Sequence, residues 1–492
     1  MDCVQTSKSK ELTKYINTVG MLCALFIILH KLDVIKGVLG FIGISSGSTY
    51  IALGIYILLD CAVLYCVYKC ILSDKNVLAV ITGGILLLLV LIPFVQLQDY
   101  YGAVQIIVFS GSIIACGVII ASYDGGYKSF VNAFLQIGKA MIVLSILYVI
   151  ILMNLNPDKL TPESPLKFIV GYGVIAWFFL PVAIIYIIEI CFSEEVGKNF
   201  SSWISILCMM TAICYTGLRT AYVTLGVTAF FVLLFSFRKS MFDRKRTIIK
   251  LIFIAIIFSV VFQLCTHVVP RASRLVAFEN RVFYEMSNHI SDVNGDYIVY
   301  DVQKEEEETI DNVFGRYIIE SDTHRLETQE MLQNDVKSKE YKYIKPLDHD
   351  SEKYSKKYYW KTDRINLWTA AVKEFMKSPI TGNGSRYFVD KYDGFFPHNM
   401  ILELLADYGI VGCGIMIGLY IVLMISFLKR SFALNDKYRI IFLIYSLAMV
   451  PEYILYSTIY TDMFLHLPVT VFVIDFLMAQ KRKKEHMEQI SQ

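Results

Sequence analysis

The stretch FPHNMILELLADYGIVG, residues 396–412, carries a polar segment directly into an apolar helix. Pro397, His398 and Asn399 stand immediately before a run of aliphatic residues. Histidine titrates near neutral pH, and such a group at a membrane surface is a candidate for proton transfer. The stretch therefore predicts both the start of a spanning helix and a place where chemistry is carried out.

The composition is that of a membrane protein. Of the 492 residues, 55% are hydrophobic, and the mean hydropathy is +0.52. Several apolar runs exceed the roughly 18 residues that a spanning helix needs. We predict an all-α polytopic membrane protein with about twelve transmembrane helices. Their approximate cores are 14–30, 48–69, 77–95, 102–121, 131–153, 168–191, 201–217, 220–237, 248–267, 400–427, 438–456 and 464–480.

The distribution of lysine and arginine predicts the orientation. Basic clusters occur at 8–14, 238–246, 429–439 and 481–484, and the number of predicted helices between successive clusters is always even. All four clusters can therefore lie in the cytoplasm, where positive loops concentrate. Both termini are then cytoplasmic, and one large, partly helical loop is extracytoplasmic.

This topology divides the chain into four regions. We predict an N-terminal bundle of about nine helices over 1–267, an extracytoplasmic loop domain over 268–399, C-terminal transmembrane helices over 400–480 and a basic cytoplasmic tail over 481–492. Within the loop domain, apolar residues recur at helical spacing near 364–376, which predicts an amphipathic helix close to the membrane surface.

The sequence lacks the features that are typical of several functional classes. No basic face favours nucleic acid, and none of the eleven cysteines lies between Arg271 and His398, which argues against a disulfide-linked ectodomain. We find no nucleotide-binding loop and no HExxH motif. We therefore expect no metal and no cofactor.

Three residues from distant parts of the chain map to the same outer boundary. Arg219, taken alone, is either a snorkelling arginine or an anion ligand. Arg364, taken alone, reads as a surface charge, and His398 is either a helix-capping histidine or a catalyst. Together they suit phosphate binding by paired guanidinium hydrogen bonds and proton abstraction from a hydroxyl.

Four stretches in order resemble the O-antigen ligase and polymerase (Wzy-type) superfamily. They are Arg219-Thr220-Ala221, the Arg-x-x-x-Trp-x-x-Ala helix from Arg364 to Ala371, the Pro-x-x-Gly-x-Gly turn from Pro379 to Gly384, and the His-Asn…Gly-Ile-x-Gly signature from His398 to Gly412. The chain departs from the family pattern at 216–218, where serine is expected before Arg219, and at an apparent insertion over about 287–357.

The resemblance implies a GT-C-like membrane glycosyltransferase that uses a glycan on undecaprenyl pyrophosphate without a metal. It implies that Arg219 and Arg364 hold the pyrophosphate and that His398 takes the proton from the attacking sugar hydroxyl, with inversion at the anomeric carbon. The further substrate-binding candidates near this site are Arg386, Tyr387, Tyr392, Asn399 and Glu403.

Each further candidate has an alternative reading. The tyrosines are either sugar-stacking surfaces or part of an aromatic membrane belt. Glu403 and Asp407 either orient His398, bind the acceptor or hydrate the mouth of the cavity. Asp60 and Asp475 are intramembrane acids and so functional candidates, to which the sequence assigns no role.

Three functions remain in competition. We favour a polysaccharide polymerase that transfers a growing glycan to the non-reducing end of a lipid-linked repeat unit, at the outer face of a bacterial cytoplasmic membrane. The second is a ligase that passes glycan to another acceptor, and the third, of another class, is a polyprenyl-linked glycan transporter or flippase. The expected partners are the lipid-linked donor and acceptor and the bilayer, with a chain-length regulator or flippase as candidate protein partners and no nucleic acid.

Overall fold

The chain is almost entirely helical wherever it is described. The computed structural model describes residues 2–29, 48–74, 76–96, 103–104, 106–154, 174–216, 219–237, 242–268, 299–301, 342–344, 363–392, 396–397, 399–456 and 463–491, and the side chains of most of them. The helices are α1 Asp2–Ile28, α2 Ser48–Asp74, α3 Val77–Gln96, α4 Ser112–Ser122, α5 Gly126–Asn154, α6 Val174–Phe192, α7 Glu194–Lys198, α8 Phe200–Thr216, α9 Arg219–Ser236, α10 Arg244–Val268, α11 Asp363–Lys377, α12 Tyr387–Lys391, α13 Met400–Ala433, α14 Lys437–Ala448, α15 Val450–Tyr456 and α16 Met463–Ser491.

A π-helical turn and a short β-ribbon accompany the α-helices in the part of the chain that the structure describes. A π-helical turn, Ile107–Gly111, leads directly into α4. One antiparallel ribbon joins β1 (Val299–Asp301) to β2 (Lys342–Ile344), with Val299 opposite Ile344. Apart from this ribbon, the described residues agree with the predicted all-α class.

Each of the twelve predicted cores overlaps a helix, or a pair of successive helical segments. Six helices in the described part of the chain are long and apolar enough to cross a membrane, and four shorter apolar helices accompany them. The six are Lys10–Ile28, Tyr50–Leu72, Val77–Gln96, Gly126–Ile150, Arg244–Cys265 and Met400–Ala433. These helices are those of a polytopic membrane protein, while the number twelve stays a prediction.

The chain forms two compact units. The first comprises Met1–Cys265 and Met416–Gln492, and the second comprises Thr266–Ile415. The boundaries predicted at 267/268 and 399/400 separate membrane helices from an extracytoplasmic loop. The two compact units do not test on which side of the membrane that loop lies.

The first unit is built around α6. Every residue from Phe179 to Cys191 is buried, so this helix is covered by protein on all sides. A helix that is hydrophobic all round is expected in such a position. Aromatic rings add a second packed region, where Phe130 of α5 meets Phe442 and Tyr445 of α14 edge to face at centroid distances of 5.2 and 5.4 Å.

Buried charges in the first unit are paired. The carboxylate of Asp475 lies 2.8 Å from Nη1 of Arg430 and 2.6 Å from Nη2 of Arg439. The Arg439 guanidinium also lies over the rings of Tyr127 and Phe427, at 4.9 and 4.5 Å from their centroids. These contacts join α13, α14 and α16 to α5, and they give the buried acid Asp475 a structural role.

Two further acids on apolar helices have partners of different kinds. Asp60 of α2 accepts a hydrogen bond from the neutral Ser112 hydroxyl at the start of α4. Glu189 of the buried helix α6 lies 3.3 Å from Nζ of Lys437 at the start of α14. The Glu189–Lys437 ion pair is tolerated inside a bundle because each charge lowers the cost of burying the other.

We expect Asp475→Asn to lower the free energy of unfolding by about 3–5 kcal/mol, because it leaves two largely buried guanidinium groups without their carboxylate. The melting temperature of the purified protein in detergent measures this loss. The matched control is Glu488→Gln, which removes one partner of an exposed ion pair with Lys484 and should change stability by less than about 0.5 kcal/mol. Equal effects of the two substitutions would contradict the structural role of Asp475.

Candidate functional site

The second unit holds α11, the turn after it, α12 and the first turns of α13. One face of α11 is buried against the other two helices. Because these residues recur at helical spacing, they hold α11 and α12 against the start of α13. The shared apolar core consists of Leu367, Ala370, Ala371, Phe388, Tyr392 and Ala406, with Leu402 packed beside it.

Helix α13 is broken at Gly409. This residue has φ 63° and ψ −171°, which is outside the helical region. The break removes the usual bonds from the amides of Ile410 and Val411 to the carbonyls of Ala406 and Asp407. Four polar backbone groups inside an apolar helix would thereby lose their partners, and each would be costly to bury unpaired.

The turn after α11 supplies those partners. The Ile410 amide donates to the Pro379 carbonyl (2.9 Å), and the Val411 amide donates to the Ile380 carbonyl (3.1 Å). In return, the Ala406 carbonyl accepts from the Asn383 amide (3.2 Å), and the Asp407 carbonyl accepts from the Gly384 amide (2.9 Å). The Pro-x-x-Gly-x-Gly and Gly-Ile-x-Gly motifs are therefore one hydrogen-bonded unit, which we call the turn–kink unit (residues 378–384 and 406–411).

Glycine is required on both sides of this unit. A Cβ on Gly409 would lie 2.5 Å from the Ile380 carbonyl oxygen, and one on Gly382 would lie 2.2 Å from the Asp407 carbonyl oxygen. Both residues also have positive φ, of 63° and 74°, a region that glycine adopts without steric cost. The close approach of two backbones explains why these motif positions are glycine.

Side chains reinforce the turn–kink unit. The side-chain amide of Asn383 donates from Nδ2 to the backbone carbonyls of Glu374 and Ala406, both at 2.8 Å. The Asn383 side chain thereby joins α11 to α13. The carboxylate of Asp407, which is buried, accepts from the Phe388 amide at 3.0 Å and caps α12. Sequence reasoning gave Asp407 no structural role, although an acid facing a helix start is a common capping arrangement.

Glu374 of α11 is the buried anion around which the second unit gathers its polar groups. Its carboxylate accepts from Lys391 at 2.7 Å, Lys377 at 2.9 Å, and the hydroxyls of Tyr387 at 2.8 Å and Tyr392 at 3.1 Å. The sequence did not single out Glu374. The signal available was an acidic residue at an otherwise apolar helical position, three residues before a lysine.

These contacts alter the acidity of Glu374. Burial alone would raise its pKa, but the hydrogen bonds from Lys391, Lys377 and Tyr387 outweigh burial and lower the pKa from 4.5 to about 2. The Glu374 carboxylate is therefore ionised at any physiological pH. Its negative charge balances the lysines on α11 and α12.

The structure describes the backbone of two of the three catalytic candidates. His398 lies outside the described residues. Arg219 is the first residue of α9 and Arg364 is the second residue of α11, and their side chains lie outside the described part. Their convergence stays a prediction.

The other site candidates lie in the second unit. Arg386 stands just before α12 with a left-handed backbone, φ 57°. Tyr387 and Tyr392 both turn their hydroxyls to Glu374, and the Tyr392 ring stacks on Phe388 at 4.4 Å. Asn399 caps α13, because its side-chain oxygen accepts from the amides of Ile401 and Leu402 at 3.1 and 3.2 Å.

Glu403 and Asp407 are fully buried and stand one turn apart before the kink. In the first unit, the first half of α9 makes a further polar contact. Thr224 donates to Glu452 of α15 at 3.3 Å, and both side chains are buried. Glu452 is a buried acid that the sequence did not single out. No group of three or more His, Cys, Asp or Glu side chains that could hold a metal occurs in the described part of the chain.

Comparison with known proteins bears on this arrangement. Residues 204–417 match the model of a family described as O-Antigen ligase. The match supports the O-antigen ligase/polymerase superfamily, as the four motifs predicted, and it spans Arg219, Arg364, His398 and the turn–kink unit. The match and the apolar helices together indicate an integral membrane protein. Glycosyl transfer of the ligase or polymerase type is the activity that the matched family suggests. No curated protein and no solved structure matches the chain.

We expect Gly409→Ala to destabilise the protein by about 1–3 kcal/mol, since the new methyl group meets the Ile380 carbonyl and the backbone has positive φ. Gly414→Ala, five residues further along α13, is the matched control because nothing lies within 4 Å of its Cβ position. That change should be neutral or stabilising by up to about 1 kcal/mol. Melting temperatures in detergent compare the two, and equal values would contradict the close approach.

The low pKa of Glu374 predicts a pH-dependent stability. Its contribution is fully present above pH 4.5, the ordinary pKa, and is lost as pH falls through about 2. We expect Glu374→Gln to cost up to about 3 kcal/mol at pH 7, and the difference from the unaltered protein to vanish towards pH 2. Melting temperatures over this pH range measure it. Asp390→Asn removes an exposed carboxylate of α12 and should show no comparable loss, and a similar loss would contradict the prediction.

Proposed function

We propose that this protein is a polysaccharide polymerase that acts at the outer face of a bacterial cytoplasmic membrane. It transfers a growing glycan from undecaprenyl pyrophosphate to the non-reducing end of a lipid-linked repeat unit. The match over 204–417, which includes all four motifs and all three catalytic candidates, supports glycosyl transfer of the ligase or polymerase type. We favour the polymerase because the sequence shows no feature dedicated to the separate outer-surface acceptor that a ligase needs. Both termini are cytoplasmic in this proposal, and about twelve helices of GT-C-like arrangement cross the membrane.

The turn–kink unit supports a common site for His398 and Arg364. Arg364 stands at the start of α11, His398 stands two residues before α13, and the turn–kink unit and the shared core join these two helices. The unit therefore restrains the two helices whose starts lie at or next to these residues in the sequence. This rigidity suits a site in which small displacements of catalytic groups are costly.

In the proposed reaction, the oxygen of an acceptor sugar hydroxyl attacks the anomeric carbon of the donor glycan. The bond from that carbon to the pyrophosphate oxygen breaks, and the pyrophosphate leaves on its lipid carrier. His398 takes the hydroxyl proton, and Arg219 and Arg364 stabilise the charge that develops on the leaving pyrophosphate. Attack opposite the leaving group inverts the anomeric centre. No metal is used in this scheme, because the arginines supply the positive charge.

The two tyrosines and Asn399 play supporting parts in this proposal. Their polar groups contact Glu374 or the start of α13, so they shape the wall of the site. Arg386 is a substrate ligand, because its left-handed backbone costs energy that glycine would avoid. An arginine kept in such a position implies a use for its guanidinium group.

We expect His398→Ala to lower the rate of glycan extension by about 10²–10⁴, as removal of a general base does. Arg219→Ala or Arg364→Ala should lower it by about 10²–10³. Purified protein with a synthetic lipid-linked repeat unit provides the assay. The matched controls are His486→Ala and Arg482→Ala in the predicted cytoplasmic tail, which should retain full activity. Chain formation by the His398 variant at the unaltered rate would remove His398 from the mechanism.

Product length separates the polymerase from the ligase. A cell that lacks the polymerase should accumulate single repeat units, whereas one that lacks a ligase should accumulate long chains on the carrier lipid. We expect single units. Long carrier-linked chains would support the ligase, and movement of labelled lipid-linked glycan across vesicles without glycosidic bond formation would support the transporter. Unchanged activity in EDTA would support the metal-free scheme, and loss of activity would oppose it.

A further inference from the structure

Helix α11 has a second apolar face, opposite to the one that packs in the second unit. Val372 and Met376 stand one turn apart and are 45% and 66% exposed. Ile380, in the turn that follows, is 66% exposed. Leu367 and Ala371 occupy the opposite, buried face. Exposed apolar side chains in a row are unusual on a surface that faces only water.

A basic edge runs beside this apolar row. Lys373 and Lys377 each follow one of the apolar residues directly in sequence, and both are exposed. The exposed or half-exposed charged side chains described between Leu367 and Tyr392 are four bases and one acid. They are Lys373, Lys377, Arg386, Lys391 and, as the acid, Asp390. A helix with an apolar centre and lysines along its edge is typical of one that lies in a membrane interface.

The apolar row continues into exposed apolar residues of α13. The carbonyls of Pro379 and Ile380 accept hydrogen bonds from the amides of Ile410 and Val411, so the end of the row lies beside the kink of α13. Helix α13 is long and apolar enough to span a membrane, and Ile410, Val411 and Ile415 on it are all at least half exposed. The exposed residues of α11 and α13 therefore meet at the turn–kink unit.

We propose that α11 is an interfacial helix whose face of Val372, Met376 and Ile380 inserts among the acyl chains of the bilayer. Lys373 then contacts the phosphates of anionic phospholipids, while Lys377 stays paired with Glu374. Burial of three apolar side chains and attraction of Lys373 to the anionic surface act in the same direction. Bilayer lipid is the occupant because the face is continuous with a spanning helix and is edged by bases.

This inference has a consequence for substrate binding that rests on the proposed function. Arg364 begins the same helix, so insertion of α11 holds the start of that helix at the depth of the headgroups. The pyrophosphate of a lipid-linked glycan lies at that depth as well. The inserted face would thus set the level at which the arginine meets its substrate, without itself touching the substrate.

Quenching of tryptophan fluorescence by brominated phospholipids tests the insertion. Full-length protein with Met376→Trp is reconstituted in nanodiscs that contain lipids brominated on the upper acyl carbons. We expect loss of the added emission relative to unbrominated lipid, and the unaltered protein serves to subtract the four native tryptophans. Asp390→Trp, at an exposed acidic position of α12, is the matched control and should keep its emission. Quenching requires no enzymatic activity, so its failure is distinct from failure of the proposed function.

Lipid charge tests the basic edge. In the Met376→Trp background, we expect quenching to increase when phosphatidylglycerol replaces phosphatidylcholine, and Lys373→Glu should abolish this increase. Absence of quenching at position 376, or equal quenching at positions 376 and 390, would overturn the insertion and would indicate a protein partner or a second copy on this face. An increase that Lys373→Glu leaves intact would overturn the role of the basic edge. Melting temperatures of all variants confirm that each is folded.

Discussion

The exchange of backbone hydrogen bonds between the turn after α11 and the kink in α13 is the constraint on which the second unit depends. A helix that breaks inside an apolar segment leaves two amides and two carbonyls without partners, and lipid cannot supply them. Here the turn provides two carbonyls and two amides in the matching order. The kink is therefore possible only when the turn is in place, and the turn is held in its shape by the same bonds.

This mutual dependence explains how two motifs that are about 25 residues apart act together. Gly382 and Gly409 let the two backbones approach, and Asn383 fastens the turn to both helices. Glu374 then balances the lysines and ties both tyrosines to the same point. The result is a hydrogen-bonded platform that joins α11 to the start of α13, and the catalytic candidates Arg364 and His398 belong to the sequence at or just before the starts of these two helices.

The helices could be predicted from the sequence because their apolar runs and breakers are local signals. The motif glycines were recognised for the same reason. The pairing of the turn with the kink could not be predicted, since it depends on which backbones meet in space.

Glu374 was missed because an acid on an amphipathic helix usually faces water, and its burial is a tertiary effect. For the two tyrosines, the sequence left sugar stacking and an aromatic membrane belt open, because sequence spacing does not tell where a hydroxyl points. Asn399, by contrast, stands immediately before an apolar helical run, which is a capping signal that the sequence already contained.

The burial of α6 has a consequence for how the protein is assembled in the cell. Its residues from Phe179 to Cys191 are covered by protein on all sides, and Glu189 among them finds its lysine at position 437, which is 248 residues later in the chain. During synthesis, α6 must therefore enter the membrane long before its counterion exists. The contact between Glu189 and Lys437 can form only after the ribosome has delivered α14. Completion of the packing around α6 thus couples the last third of the polypeptide to the maturation of the first.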